Sequence, residues 1–289
     1  MTKPDDELDM SRPEWTPPAV DLDRPNVSRI YDWYLGGTNN YAVDREFGKA
    51  ALEVMPHIPF VARSNREFMI RAVGYALDEG LDQFLDIGSG IPTTQPVHEV
   101  AHARDPGARV VYVDHEAVAI AHGTRMLTDE PNAAMVAGDF YRPETILDAP
   151  ETRRLIDFDR PVCLLLVALL HFVPPSDDPE STLRQYLDKL APGSLVAISH
   201  GTFDGLDPAD PRQAEMREAT LRFTAHYNQT STPDLVTRTR DEFAAFFTGL
   251  ELVEPGIAYT RSWRNDSLRR NENPAFSQCL AGVARVPSR

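Results

Sequence analysis

The chain has 289 residues, a formal charge of −15 at pH 7, 42 % apolar residues and two cysteines. This length and apolar content suit one large domain, or a core domain with an appendage, while the acidity argues against a protein built to grip a nucleic-acid backbone. Cys163 and Cys279 lie in apolar runs and imply no disulfide framework, and the longest apolar run, 162-VCLLLVALL-170, is half of what spans a bilayer.

The first segment, 1–25, is rich in Pro, Asp and Glu and reads as a loose leader. It has no apolar stretch of the kind a signal peptide needs, so a soluble cytoplasmic protein is expected. From 26 to 80 the pattern is helical and reads as an N-terminal cap. Within it, 64-SNREFMIRAVGYALDEG-80 sets Phe68, Val73, Ala76 and Leu77 near one face, with Ser64 as a candidate N-cap and Gly80 as a stop. After residue 81, short apolar runs alternate with helical stretches. Strands are predicted at 83–87, 109–114, 134–138, 161–169 and 194–199, with helices at 94–104 and 179–191 among the connections. A long helical pattern at 207–230 lies within an insertion near 201–235. A helix at 240–248 and strands at 250–255 and 278–285 follow. Strands this apolar, spaced by helices, form βαβ units, so 81–289 is expected to be a doubly wound, Rossmann-like α/β domain.

The stretch 84-FLDIGSGIPTT-94 closes the first strand with Asp86 and then brings Gly88, Ser89 and Gly90 before a helix. In doubly wound sheets that turn lies at the ligand crevice. A dinucleotide site wants a third glycine three residues after the second, where Thr93 stands here, and it gives Asp86 no role. A cofactor with a cationic amino-acid end gives it one, because a carboxylate at a strand end can hold an ammonium. Asp114 ends the second strand, where an acid accepts hydrogen bonds from ribose hydroxyls. Asp139 ends the third, placed for an adenine amino group, with Phe140 beside it to pack on the ring. Each acid alone is as well read as a helix N-cap. The three together, on successive strand ends, suit an adenosyl group with an amino-acid tail.

With these residues the chain resembles the class I S-adenosylmethionine-dependent methyltransferases. More narrowly it resembles the bacterial S-adenosyl methyltransferase family long catalogued as a domain of unknown function. The likeness is carried by 29-RIYDWYLGGTNNYAVDRE-46, 62-ARSNREFMIRAV-73, 84-FLDIGSGIPT-93, 98-HEVA-101, 110-VVYVD-114, 241-DEFAAFF-247 and 253-VEPG-256. It implies a seven-stranded sheet with an antiparallel last strand, and N-terminal helices forming part of a lid. It also implies S-adenosyl-L-methionine as cofactor and S-adenosyl-L-homocysteine as product. Tyr31, Gly36, Gly37 and Asn40 are then candidate contacts from the cap, Arg66 a partner for the methionyl carboxylate, and Ala168 a contact at the end of the fourth strand. The bland reading of 31-YDWYLGGTNNY-41 is a helix ended by a glycine at Gly36. One departure is 114-DHEAV-118, where that family carries Asn-Asp-Pro after the first acid; His115 is a candidate contact by position alone.

Methyl transfer from a sulfonium asks the protein to position the acceptor and exclude water. The acceptor is expected near 167-VALLHF-172, where His171 is a candidate general base; His200 is a weaker one. The Asn/Asp-Pro-Pro-aromatic tetrad common in methyltransferases of nucleobase amino groups does not occur here. A small-molecule acceptor is therefore expected, with neither nucleic acid nor membrane as partner. Three other readings compete: a non-catalytic S-adenosylmethionine sensor on the same fold, a nicotinamide oxidoreductase, and a zinc peptidase suggested by 98-HEVAH-102. The last lacks a downstream third ligand, and no metal is expected.

Overall fold

The structure is a computed structural model that describes residues 24–230 and 234–288. The leader expected over 1–25 lies almost wholly outside the described residues. Three helices come first: α1 (Val27–Tyr34), α2 (Ala42–Val54) and α3 (Ile58–Asp78). Asn26 caps α1 by accepting from the Arg29 amide. The third helix begins six residues before the predicted N-cap at Ser64, which is instead buried inside it. Pro59 stands in the first turn of this helix, where proline lacks only an N–H that the turn leaves unbonded anyway. Gly80, with φ of +83°, ends the helix as predicted.

The remainder alternates between strand and helix. In chain order come β1 (Gln83–Ile87), α4 (Val97–His102), β2 (Arg109–Asp114), α5 (Ala117–Met126) and β3 (Ala133–Ala137). Then follow α6 (Pro143–Leu147), α7 (Pro150–Leu155), β4 (Cys163–Val167), α8 (Pro179–Leu187) and β5 (Leu195–Gly201). The chain closes with α9 (Pro211–Thr230), α10 (Arg240–Ala245), β6 (Glu251–Leu252), β7 (Ala258–Tyr259) and β8 (Cys279–Arg285). The sheet order is β3-β2-β1-β4-β5-β8, with β6 and β7 both on the outer edge of β8. Strands β1 to β5 are parallel and β8 runs antiparallel to them. The strand predicted at 250–255 is only the two-residue β6; β7, which was not predicted, lies in the same row, which leaves seven positions across the sheet.

Burial follows the period of two that a sheet covered on both faces demands. Leu85, Ile87, Val111, Val113, Leu164, Leu166, Val196 and Ile198 face one core, shared with helices α6, α7, α8 and α10. Phe84, Val110, Tyr112, Cys163, Leu165, Leu195 and Ala197 face the other, shared with α3, α4 and Trp263. Both cysteines are free and buried. No helix among the described residues is long and apolar enough to cross a membrane. Strand order reverses between β1 and β4, so the crevice opens at the carboxyl ends of these strands.

Helices α1 to α3 are held over that crevice by polar contacts. The Asp32 carboxylate accepts from the Thr93 hydroxyl (2.6 Å), the Asn39 amide (2.8 Å) and the Asn40 side-chain amide (3.0 Å). Asn26 donates to Glu116 at the start of α5 (3.0 Å). Beneath, Arg29 and Asp44 form a fully buried ion pair (2.8 Å), and Asp44 also accepts from the amides of Asn26 and Tyr41. Gly37 has no room for a side chain: an added Cβ would stand 2.1 Å from an Asp32 carboxylate oxygen. Gly36, at φ +82°, has open space around it. Gly37→Ala is therefore expected to cost about 1–3 kcal/mol, in the range of overpacked sites. Gly36→Asn, with a side chain that tolerates the left-handed region, should cost less; urea unfolding of both variants checks the order.

Candidate active site

A cavity of about 320 Å³ lies between the strand ends and the cap. Its sheet side is built by the glycine turn. Gly88 (φ +72°) and Gly90 (φ +63°) adopt conformations that L side chains rarely take, and a Cβ on Gly88 would meet the Leu169 side chain at 2.6 Å. The amides of Gly88 and Ser89 donate to the Val113 carbonyl, at 2.8 and 3.0 Å, and the Gly90 amide donates to Asp114 at 2.8 Å. The second Asp114 oxygen accepts from the Glu116 amide at 2.9 Å. The Asp114 carboxylate thus locks the turn and the start of α5 together, and each oxygen keeps a further lone pair. Helix α5 takes its N-cap from Glu116, so Asp114 serves the turn before it rather than capping the helix.

Asp86 behaves differently. It is buried and lines the cavity, yet its carboxylate has no hydrogen-bond or ion-pair partner among the described residues. Burial pushes its pKa up to about 7, against the opposing pull of the Arg66 guanidinium; nearby Asp114 pushes it further up. Arg66 projects from α3 into the same wall. Its guanidinium stands 5.7 Å from the Tyr31 ring centre, and its Nε is buried without a partner. A carboxyl group without a bonded partner and a guanidinium with an unbonded Nε therefore face one cavity. Tyr31 is held by Ala62 and Asn65, its hydroxyl donating to the first and accepting from the second.

Of the sequence-predicted residues, Tyr31, Arg66, Asp86, Gly88, Ser89, Gly90, Asp114, His115 and Ala168 all line this cavity, as does His171. Ala168 sits at φ +58°, its amide bonded to the Ser199 hydroxyl. Gly36, Gly37 and Asn40 lie outside the lining. Gly36 follows the C-cap of α1, as the bland reading has it, and Asn40 is spent on Asp32 and the Gly37 carbonyl. Asp139 and Phe140 also lie outside it. Asp139 accepts from the Tyr141 amide, and Phe140 stacks on Tyr186 (5.7 Å, 15°) within one of the cores.

His171 carries a Nδ1 that is buried without a partner, and burial near His200 and Arg238 lowers its pKa to about 3. His200 is fully buried; its Nδ1 donates to the Gly201 carbonyl and its Nε2 accepts from Arg238 at 2.6 Å, which makes it a structural residue. In 98-HEVAH-102, the His98 ring bonds the Tyr112 hydroxyl and the His102 ring the Ala108 carbonyl. No group of three metal-ligating side chains occurs among the described residues.

Sequence reasoning missed Glu116, Asn65, Thr202, Thr220, Tyr227 and Gln278, all in the lining. Only Glu116 had a signal, as a second acid two residues after Asp114. The others arrive from α3, α9 and the ends of β5 and β8, and no local pattern joins them.

Unfolded, Asp86 titrates in the ordinary carboxylate range; folded, it titrates at about 7. Between these values the folded state holds the extra proton, so raising the pH removes stability, and the loss levels off above about pH 7. Asp86→Asn should accordingly be more stable than the parent at pH 8, by on the order of 1–4 kcal/mol, with the gap closing toward pH 4. Thermal unfolding across that range measures it.

Residues 13–287 match the family model described as S-adenosyl methyltransferase. A protein of Thermobifida fusca YX, proposed to be a methyltransferase, has a solved structure with 35 % identity, covering 96 % of this chain and 100 % of that one, at a TM-score of 0.85. A DUF574 family protein from Streptomyces avermitilis MA-4680 has 37 % identity, covering 92 % of this chain and 99 % of that one, at a TM-score of 0.83. No curated protein matches the chain. The strand order, the glycine turn and these likenesses agree: the chain belongs to the S-adenosyl methyltransferase family.

Proposed function

We propose that the protein moves a methyl group from S-adenosyl-L-methionine to a small-molecule acceptor and releases S-adenosyl-L-homocysteine. Family membership implies the donor. The observation that carries the reading is the pair of unsatisfied opposite charges, Asp86 and Arg66, in the wall above the glycine turn. A zwitterionic amino-acid tail is the ligand that satisfies both, whereas a dinucleotide brings a pyrophosphate that Asp86 repels.

Asp86 would accept from the ammonium and Arg66 would hold the carboxylate as a two-pronged donor. The remaining lone pairs of Asp114 suit the ribose hydroxyls. Bound S-adenosylmethionine supplies an electrophilic methyl carbon on a sulfonium. The residues of α1, α2, α3 and α9 that line the cavity exclude water from that carbon. An imidazole that gains its proton only near pH 3 is neutral throughout the physiological range. His171 therefore suits a hydrogen bond to the acceptor better than prior removal of its proton.

Calorimetry with S-adenosylhomocysteine tests binding, and turnover of labelled S-adenosylmethionine against a metabolite extract separates an enzyme from a sensor. Binding of NAD with no binding of S-adenosylhomocysteine would overturn the reading. Because the ammonium needs Asp86 ionised, the affinity for S-adenosylhomocysteine should fall about tenfold per pH unit below 7, and this slope should vanish in Asp86→Asn. Asp114→Ala should weaken the same binding by about 1–3 kcal/mol, the scale of hydrogen bonds to a charged group.

A further inference from the structure

Gln278 sits just before β8 with a backbone φ of +44°, a region costly for a residue with a side chain. It is 3 % exposed and lines the cavity. Its Oε1 is engaged twice, by His57 Nε2 at 2.6 Å and by the Thr220 hydroxyl at 2.9 Å. His57 precedes α3 and Thr220 belongs to α9, so two elements that build the cavity fix the amide. Its Nε2 is buried and has no partner. A buried donor left unmade costs about 1–3 kcal/mol, and a strained backbone adds to that, so the site holds two separate penalties at one residue.

The position of Gln278 separates it from the cofactor end. From β1, which carries Asp86, the sheet passes β4 and β5 before β8. At about 4.8 Å per strand, Gln278 stands roughly 14 Å across the crevice from Asp86. Phe172, Phe223, Tyr227, Tyr34 and Phe47 give the cavity five rings, and none of its charged side chains, Asp86, Asp114, Glu116 and Arg66, bonds Gln278, whose partners are His57 and Thr220. His171, beside Phe172, is neutral. An acceptor charge set against the Gln278 amide would be stripped of water with no countercharge in contact.

We propose that Gln278 reads the methyl acceptor, and that the acceptor is an electrically neutral, mainly apolar ring compound with an oxygen that accepts from the Gln278 amide nitrogen. The inference rests on the methyltransferase reading above, since it takes the opposite end of the cavity as the cofactor's. Flat rings suit the aromatic walls, and a single oxygen suits a single fixed donor. Gln278 would then set which acceptor is bound and how it lies, without touching the cofactor.

The test uses the full chain saturated with S-adenosylhomocysteine, titrated calorimetrically with naphthol and tetralone as neutral probes, and with naphthoate and naphthylmethylammonium as charged ones. The neutral probes should bind at least about tenfold more tightly than either charged probe. Gln278→Met keeps the length of the side chain and adds no charge but removes the free donor. It should weaken naphthol and tetralone by about tenfold while leaving the affinity for S-adenosylhomocysteine unchanged. Charged probes that bind as well as neutral ones, neutral probes that fail to bind, or a Gln278→Met variant with parental affinity for them would each overturn the proposal. If S-adenosylhomocysteine itself fails to bind, the methyltransferase reading falls first and this inference with it.

Discussion

The carboxylate of Asp86 is the constraint around which the site is arranged. It lies near the end of a strand buried on both faces, and no described side chain bonds it, although the Arg66 charge acts on it. A well-packed protein selected for stability alone would replace it with an apolar residue. Its presence beside Arg66, whose Nε is also unbonded, costs folding free energy that a ligand with both charges would offset, as in the function proposed above. The rest of the crevice serves that charge: the turn that opens space above it, and the Asp114 carboxylate that locks the turn.

The cap explains why so distinctive a segment as 31-YDWYLGGTNNY-41 contributes few ligand-facing groups. Tyr31 and Tyr34 reach the cavity, while Asp32, Gly37 and Asn40 form a knot that fastens the cap to Thr93 behind the glycine turn. The buried Arg29–Asp44 pair holds α1 against α2 from below. A buried pair of this kind is costly to break from one side, which gives the cap one defined seat over the sheet. The motif is thus scaffolding for the cap, with Tyr31 and Tyr34 on the cavity side and its polar residues on the contact with the core.

The legible parts of the fold were those with a period. Strands β1 and β2 carry continuous apolar runs bounded by charge or glycine, and their limits coincide with the predicted ones. Helix α3 was started at Ser64, six residues late, and the strand predicted at 250–255 is only the two-residue β6, with the second pairing at β7 unpredicted. Both differences lie where tertiary context decides: Ser64 is buried inside the helix instead of capping it, and an edge strand can leave its ladder without exposing a core. Asp139 and Phe140 were placed at the site because they end a strand, but Phe140 turned inward to stack on Tyr186. Strand-end position alone does not fix which way a side chain points.

What the sequence by itself determined is one wall of the cavity: an acid, a glycine turn and a second acid are close along the chain, so a strand–turn–helix brings them to one rim without help from the rest of the molecule. The opposite wall was decided only by tertiary structure. Gln278, Thr220, His57 and Tyr227 lie far apart in sequence and meet because β8 returns antiparallel beside β5 while α3 and α9 close over the same opening. The Gln278 amide nitrogen is left unpaired there while His57 and Thr220 hold the amide oxygen, and this is a property of packing between distant segments.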